Sequence, residues 1–113
     1  FAPSMLPARS WQKMMADLKN HFGDDASVEA ATAARISAYL AANAADSTSG
    51  SRYSGKLLRG VAAGAEPQRI TELPKWLREH RKVPDWEWRH KEVRSRANCS
   101  ACHADAERGY YDD

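Results

Sequence analysis

Cys99, Ser100, Ala101, Cys102 and His103 form a C-x-x-C-H run near the end of the chain. Two thiols at this spacing, followed at once by an imidazole, are the attachment pattern of a c-type haem. The thiols add across the two haem vinyl groups, whose separation matches a two-residue gap on one helical turn. The adjacent histidine is then held beneath the iron as an axial nitrogen donor. Three other chemistries compete for these residues. A redox-active dithiol usually sits in a βαβ unit, and no strand pattern is read here. A zinc site needs about four ligands, commonly with a second close Cys or His pair, and only isolated histidines remain. A structural disulfide would use both cysteines and leave His103 without a purpose.

An iron with His103 on one side raises the question of the other side. A second strong ligand suits electron transfer, whereas an open or weak position suits gas binding. His80 lies 19 residues before Cys99, far enough to come from a separate helix. It shares a helical face with Trp76 at i,i+4, and an indole there would pack on the macrocycle. The competing reading is a surface histidine, since Glu79, Arg81 and Lys82 surround it. His80 is the expected distal ligand. His90, within Trp88-Arg89-His90-Lys91-Glu92, reads as solvated. A methionine opposite His103 would raise the potential. Met14 and Met15 fall on an apolar stripe where core filling is the simpler role; Met5, in a proline-bounded loop, could reach a haem. His21, before Phe22-Gly23, reads either as a helix C-terminal residue favoured by the dipole or as the axial ligand of a second haem.

The elements that must position these groups read as helices. Ser10 is a candidate N-cap. Trp11, Met14, Met15, Leu18 and Phe22 recur at helical spacing and stop at Gly23. Asp24, Asp25 and Ser27 offer caps for a second helix with Val28, Thr32, Ile36, Tyr39 and Leu40 as its buried face. The two should pack as a hairpin. Residues 45–55 are small and polar and read as a linker able to bury little surface. Leu57, Leu58 and Val61 form a short apolar patch, punctuated by Gly60, Gly64 and Pro67. Thr71 is a candidate cap for a helix with Pro74 in its first turn, carrying Trp76, Leu77 and His80 and ended by Val83-Pro84. A last helix from about Ala97 to Arg108, closed by Gly109, should hold the motif. No repeat or β-hairpin signal is present. The fold class is therefore all-α: small helical lobes around haem, an N-terminal hairpin over 1–44, a linker over 45–69 and a haem-binding lobe over 70–113.

Composition sets bounds on this picture. A chain of 113 residues makes one small domain or two very small ones, and small domains often need a staple such as a covalent prosthetic group. A mean hydropathy of −0.71 with 28% charged residues, and no apolar run near the roughly 20 residues of a spanning helix, exclude a membrane span. A net charge of +2 is too small to argue for nucleic acid. Both cysteines sit in the one motif, so no disulfide framework exists. No signal peptide is read, leaving the chain mature or truncated. Covalent haem attachment implies assembly outside the cytoplasm, in a bacterium the periplasm.

Several short blocks together resemble the diheme cytochrome c family of bacterial periplasms. They are Leu6-Pro7-Ala8-Arg9-Ser10-Trp11, His21-Phe22-Gly23-Asp24-Asp25-Ala26-Ser27 and Ile36-Ser37-Ala38-Tyr39-Leu40, then Arg69-Ile70-Thr71-Glu72, His80-Arg81 and Ala97 through His103. The resemblance covers nearly the whole chain. In that family a first C-x-x-C-H motif lies just upstream of the segment matching Phe1-Ala2-Pro3. Its absence here leaves a truncated chain or a lost first haem, and His21 favours truncation. The resemblance implies that His80 is the distal ligand opposite His103, and that His21 serves a second haem. It implies two low-potential bis-histidine haems. It also implies electron transfer between redox partners, a membrane b-type cytochrome and a small soluble haem protein.

The function expected is that of an electron carrier and not an enzyme. Were His80 not to reach the iron, a five-coordinate haem that binds or senses a gas would follow. A haem peroxidase would need distal acid–base groups that are not identifiable. Trp76, Trp86 and Leu77 are candidates for the apolar shell of the haem. From Lys75 to Arg96 the chain has eight Lys or Arg against four Asp or Glu. That stretch is either an ordinary solvated face or a docking patch for an acidic partner.

Overall fold

The computed structural model describes residues 1–47 and 56–111. Among these residues there are α-helices and 3₁₀ turns and no strand, as the all-α reading expects. The helices are α1 (Ala8–Ala16), α2 (Ala30–Ala42), α3 (Pro74–His80) and the single turn α4 (Asp85–Trp88). Short 3₁₀ turns, among them Pro3–Met5, Leu18–Asn20 and Ile70–Glu72, join and extend them.

The first helix starts two residues earlier than Ser10 and ends well before Phe22. Pro7 is its N-cap, with fixed φ suited to that place, and Ser10 is fully buried inside it. No side chain of its own caps α1. Asp46, from far along the chain, accepts the Ala8 N–H at 2.9 Å instead. At the other end the Asp17 N–H turns back to the Met14 carbonyl, and the Leu18 carbonyl accepts from Ala26 at 2.7 Å. That carbonyl serves a loop closure, so the apolar periodicity through Leu18 and Phe22 continues without a helix beneath it.

The second helix begins at Ala30, because Asp25 spends its carboxylate on the Ser27 N–H in a local turn, 2.9 Å away. The helices α1 and α2 pack together as the expected hairpin, and of the expected buried face Thr32 and Leu40 are partly covered, Leu40 against the core. Val28 is 45% exposed, Ile36 39% and Tyr39 61%. The covered side of α2 runs through Ala33, Ser37, Leu40 and Ala41 to buried Ala44. Small side chains at i,i+4 spacing permit a close approach, and Val28, Ile36 and Tyr39 are left outside.

One buried cluster joins Met5, Leu6 and Trp11 to Ala44, Leu57, Ile70, Leu73 and Trp76. Each fully buried Leu in such a cluster contributes about 1.5–3 kcal/mol. Residues 48–55 of the expected linker lie outside the described residues. Its first residue, Ala45, is buried and donates its N–H to the Leu6 carbonyl at 2.9 Å, contrary to the expectation of little burial. Arg9 fastens the following segment. Its guanidinium donates to the Ala65 carbonyl and, at 3.0 Å, to the Ala62 carbonyl, and pairs with Asp46 at 3.7 Å.

Thr71 lies inside a 3₁₀ turn, and Leu73 is the N-cap of α3, with Pro74 in the first turn as expected. Gly60 sits against that turn with φ +86°, and a Cβ there would meet Pro74 Cβ at 3.0 Å. The single last helix expected over 97–108 is absent. Two 3₁₀ turns, Cys99–Ala101 and Ala106–Arg108, take its place, the second ended by left-handed Gly109. The Asn98 amide donates to the Val93 carbonyl at 3.0 Å, the kind of local side chain to backbone bond that competes with helix.

Candidate haem site

The helix α3 is short, but it turns Trp76 and His80 to one side. The two rings stack at 4.2 Å between centres and 13° between planes. His80 Nδ1 lies 2.7 Å from the Trp76 carbonyl oxygen, one helical turn back. A carbonyl can only accept, so Nδ1 carries the hydrogen, and Nε2 is the nitrogen left to present a lone pair to a metal. A hydrogen bond of this kind orients a ligating histidine and fixes its tautomer.

The motif turn faces this helix. The His103 N–H donates to the Cys99 carbonyl at 2.9 Å, so the cysteine and the histidine share one tight turn. The His103 ring stands 6.2 Å from the His80 ring, at 71°. It also meets Tyr111 edge-on at 5.4 Å. His80, His103, Cys99 and Cys102 all line a single cavity of about 450 Å³. Cys99 is half-buried and Cys102 exposed, both free thiols. Burial, the largest cause, pushes the Cys99 thiol above its usual range, which favours S–H over thiolate.

These residues fit a haem iron. A metal between two imidazoles, at about 2 Å from each nitrogen, separates the ring centres by about 6 Å. The walls suit a large apolar group, for Leu57, Ile70, Trp76, Val83 and Trp88 line the same space. The shell differs from the expected one. Trp86 is 63% exposed and Leu77 47%, and Trp88 takes the inner place, 5.7 Å from Trp76 and 6.1 Å from His80. In a helix of one turn, periodicity cannot separate Trp86 from Trp88. Tyr111 also lines the cavity, with no signal in the sequence. Met5 lines it too, brought there by the 3₁₀ turn Pro3–Met5.

His90 stands apart. It is exposed, and its Nδ1 accepts the Glu92 N–H at 3.2 Å. His21 does not line the cavity either. It opens a two-residue turn in which His21 and Asp24 exchange backbone hydrogen bonds of 2.7 and 3.0 Å. Phe22 and Gly23 inside it have φ of +53° and +93°, the mark of a type I′ turn. Phe22 packs its ring edge-on to His21 at 4.7 Å, and Arg69 lies over the Phe22 ring at 4.5 Å.

A family model described as dihaem cytochrome c matches residues 1–111. The chain belongs to the dihaem cytochrome c family. Solved members share its fold. A diheme cytochrome c from Rhodobacter sphaeroides is 47% identical with a TM-score of 0.84, over 96% of this chain and 83% of that one. A second structure from the same organism is 44% identical with a TM-score of 0.76, over 98% and 84% of the two chains. A diheme cytochrome c from Shewanella baltica is 34% identical with a TM-score of 0.76, over 99% of this chain and 76% of that one. No curated protein sequence matches the chain. As a dihaem cytochrome c it is an electron-transfer protein of the c type, and haem c is its prosthetic group. Among the described residues no helix is long and apolar enough to cross a membrane.

Proposed function

We propose that this dihaem cytochrome c is a periplasmic one-electron carrier. Its cavity takes a haem c on Cys99 and Cys102, with His103 and His80 as the two axial ligands. The observation that carries this reading is the pair of imidazoles facing one cavity, 6.2 Å apart, with the attachment cysteines on its wall. When bound, haem c supplies a ferric–ferrous couple. The residues of the chain do the rest. His80, held by the Trp76 indole and carbonyl, keeps one orientation in both oxidation states, so little needs to move when charge changes. Two nitrogen donors favour ferric iron over what a Met/His pair would give, which lowers the potential. Trp76, Trp88 and Ile70 exclude water, which pulls the other way by penalising the extra charge. The donor set sets the direction, hence a low potential.

His21 is the proposed axial ligand of a second haem, supported by its separate turn and by family membership. The proposed partners are a membrane b-type cytochrome and a small soluble haem protein, supported by kinship alone. Periplasmic location is supported by the chemistry of covalent haem attachment.

Replacing His80 with Ala tests the site. The ferric and ferrous spectra should turn high-spin and five-coordinate, and the potential should rise. A low-spin spectrum with an unchanged potential would remove His80 from the iron. Haem content per polypeptide, read with intact mass, tests His21: one haem on the full natural chain would make that residue structural.

A further inference from the structure

We infer that the outer side of α3 and the segment that follows it form a docking face for an acidic one-electron redox protein. This inference rests on the electron-carrier reading above. The inner side of α3 is taken by Trp76 and His80. The outer side therefore lies one side chain away from the proposed axial ligand. It carries Leu77, Arg78 and Arg81, followed by Lys82, and all four are exposed. Leu77 and Arg78 lie on the helix, Arg81 is its C-cap and Lys82 follows in the turn.

The charge is concentrated here. Lys75 to Arg96 holds eight Lys or Arg against four Asp or Glu, while the rest of the chain holds nine against eleven. The whole positive surplus of the molecule thus lies within this stretch, and the remainder is weakly acidic; Lys75, Glu79, Glu87 and Arg96 line the cavity and cancel, leaving the surplus on the residues outside it. One of the four acids, Glu79, is already paired with Lys75 at 2.7 Å. A face of this sign steers an acidic partner and repels a basic one.

The same stretch of chain exposes apolar side chains, Leu77 on α3 and Trp86 on α4. Trp86 is 63% exposed and Leu77 47%, while Trp76 and Trp88 nearby are covered. An exposed apolar side chain with basic neighbours, as Leu77 has in Arg78 and Arg81, is the composition of an interface core with a charged rim. On docking, one electron leaves the reduced partner and is taken up in the cavity; no bond forms or breaks.

The test uses the haem-loaded protein and two reductants in stopped flow. One is the hydroquinone of a flavodoxin, an acidic protein donor; the other is photoreduced lumiflavin, small and uncharged. With flavodoxin the wild-type rate should fall steeply as ionic strength rises. The R78E/K82E variant should be about tenfold slower at low salt and nearly salt-independent. W86A should be slower with the wild-type salt slope, and R59E, an exposed charge elsewhere, should stay within about twofold. Lumiflavin should reduce all of them alike. If R78E/K82E matches wild type with flavodoxin, or R59E loses as much, the docking face is refuted while the carrier reading stands. If wild-type protein accepts electrons from neither donor, the carrier reading falls and the docking face with it.

Discussion

The His80 imidazole lies nearly parallel to the Trp76 indole, 4.2 Å from it, and reaches back to the carbonyl of the same residue at 2.7 Å. One residue thus provides both a wall and a hydrogen-bond acceptor for the proposed distal ligand. Trp76→Ala keeps the acceptor and removes the wall. It should cost about 3–5 kcal/mol of stability and broaden the low-spin electron paramagnetic resonance signal, as the ring loses the surface that fixes its plane. Trp76→Phe should keep a narrower signal. Equal line widths in all three proteins would show that the indole does not orient His80.

Leu73 is fully buried and is also the N-cap of α3. Leu73→Ala should cost about 2–5 kcal/mol in chemical denaturation of the haem-loaded protein. A loss under about 1 kcal/mol would mean that the site collapses around the missing methyls.

Gly60 is needed twice over. Its φ of +86° is strained for any other residue, and a Cβ would press on Pro74 at 3.0 Å. Gly60→Ala should lower stability by about 1–3 kcal/mol. Because Pro74 starts the helix that carries His80, the visible spectrum should shift as well.

The helix α1 depends on a remote cap. Asp46→Ala removes the acceptor for the Ala8 N–H and should cost about 1 kcal/mol. Asp46→Asn retains an oxygen and should recover most of it. Thermal unfolding of the three proteins decides whether the oxygen or the charge matters.

Acid should loosen the start of α3. The hydrogen bond and the charge of Lys75 hold the Glu79 carboxyl below its usual range. A carboxylate with a lowered folded value adds stability that is full above its unfolded value and lost as pH falls through the folded one. The stability difference between wild type and Lys75→Gln should therefore be present at pH 7 and smaller at pH 3. Denaturant titrations at the two values measure it; a difference undiminished in acid would assign it to packing of the lysine stem.

The C-x-x-C-H run, Trp76 beside His80 and Pro74 at a helix start were readable because each is local, set by spacings of four residues or fewer. What escaped the sequence depends on distant partners. The end of α1 was decided by the Leu18 carbonyl serving Ala26, and its start by Asp46. The covered face of α2 follows alanines, whose small size matters only once α1 lies against them. Trp86 and Trp88 look alike until the fold turns one inward. The motif run reads as one helix, whereas two 3₁₀ turns carry it, and the Asn98 amide before the first of them is bonded back to the Val93 carbonyl.

The bond between His103 and Cys99 spans a single turn, whereas Gln68 reaches the Ser10 carbonyl across 58 residues. Closing long loops is the slow part of folding, while one turn closes early. The attachment turn can thus form on an open chain, with both thiols accessible, before Met5 and Leu57 arrive to build the far walls. Order of events, then, is written into sequence distance: the cysteines are presented first, and the pocket closes afterwards around what they hold.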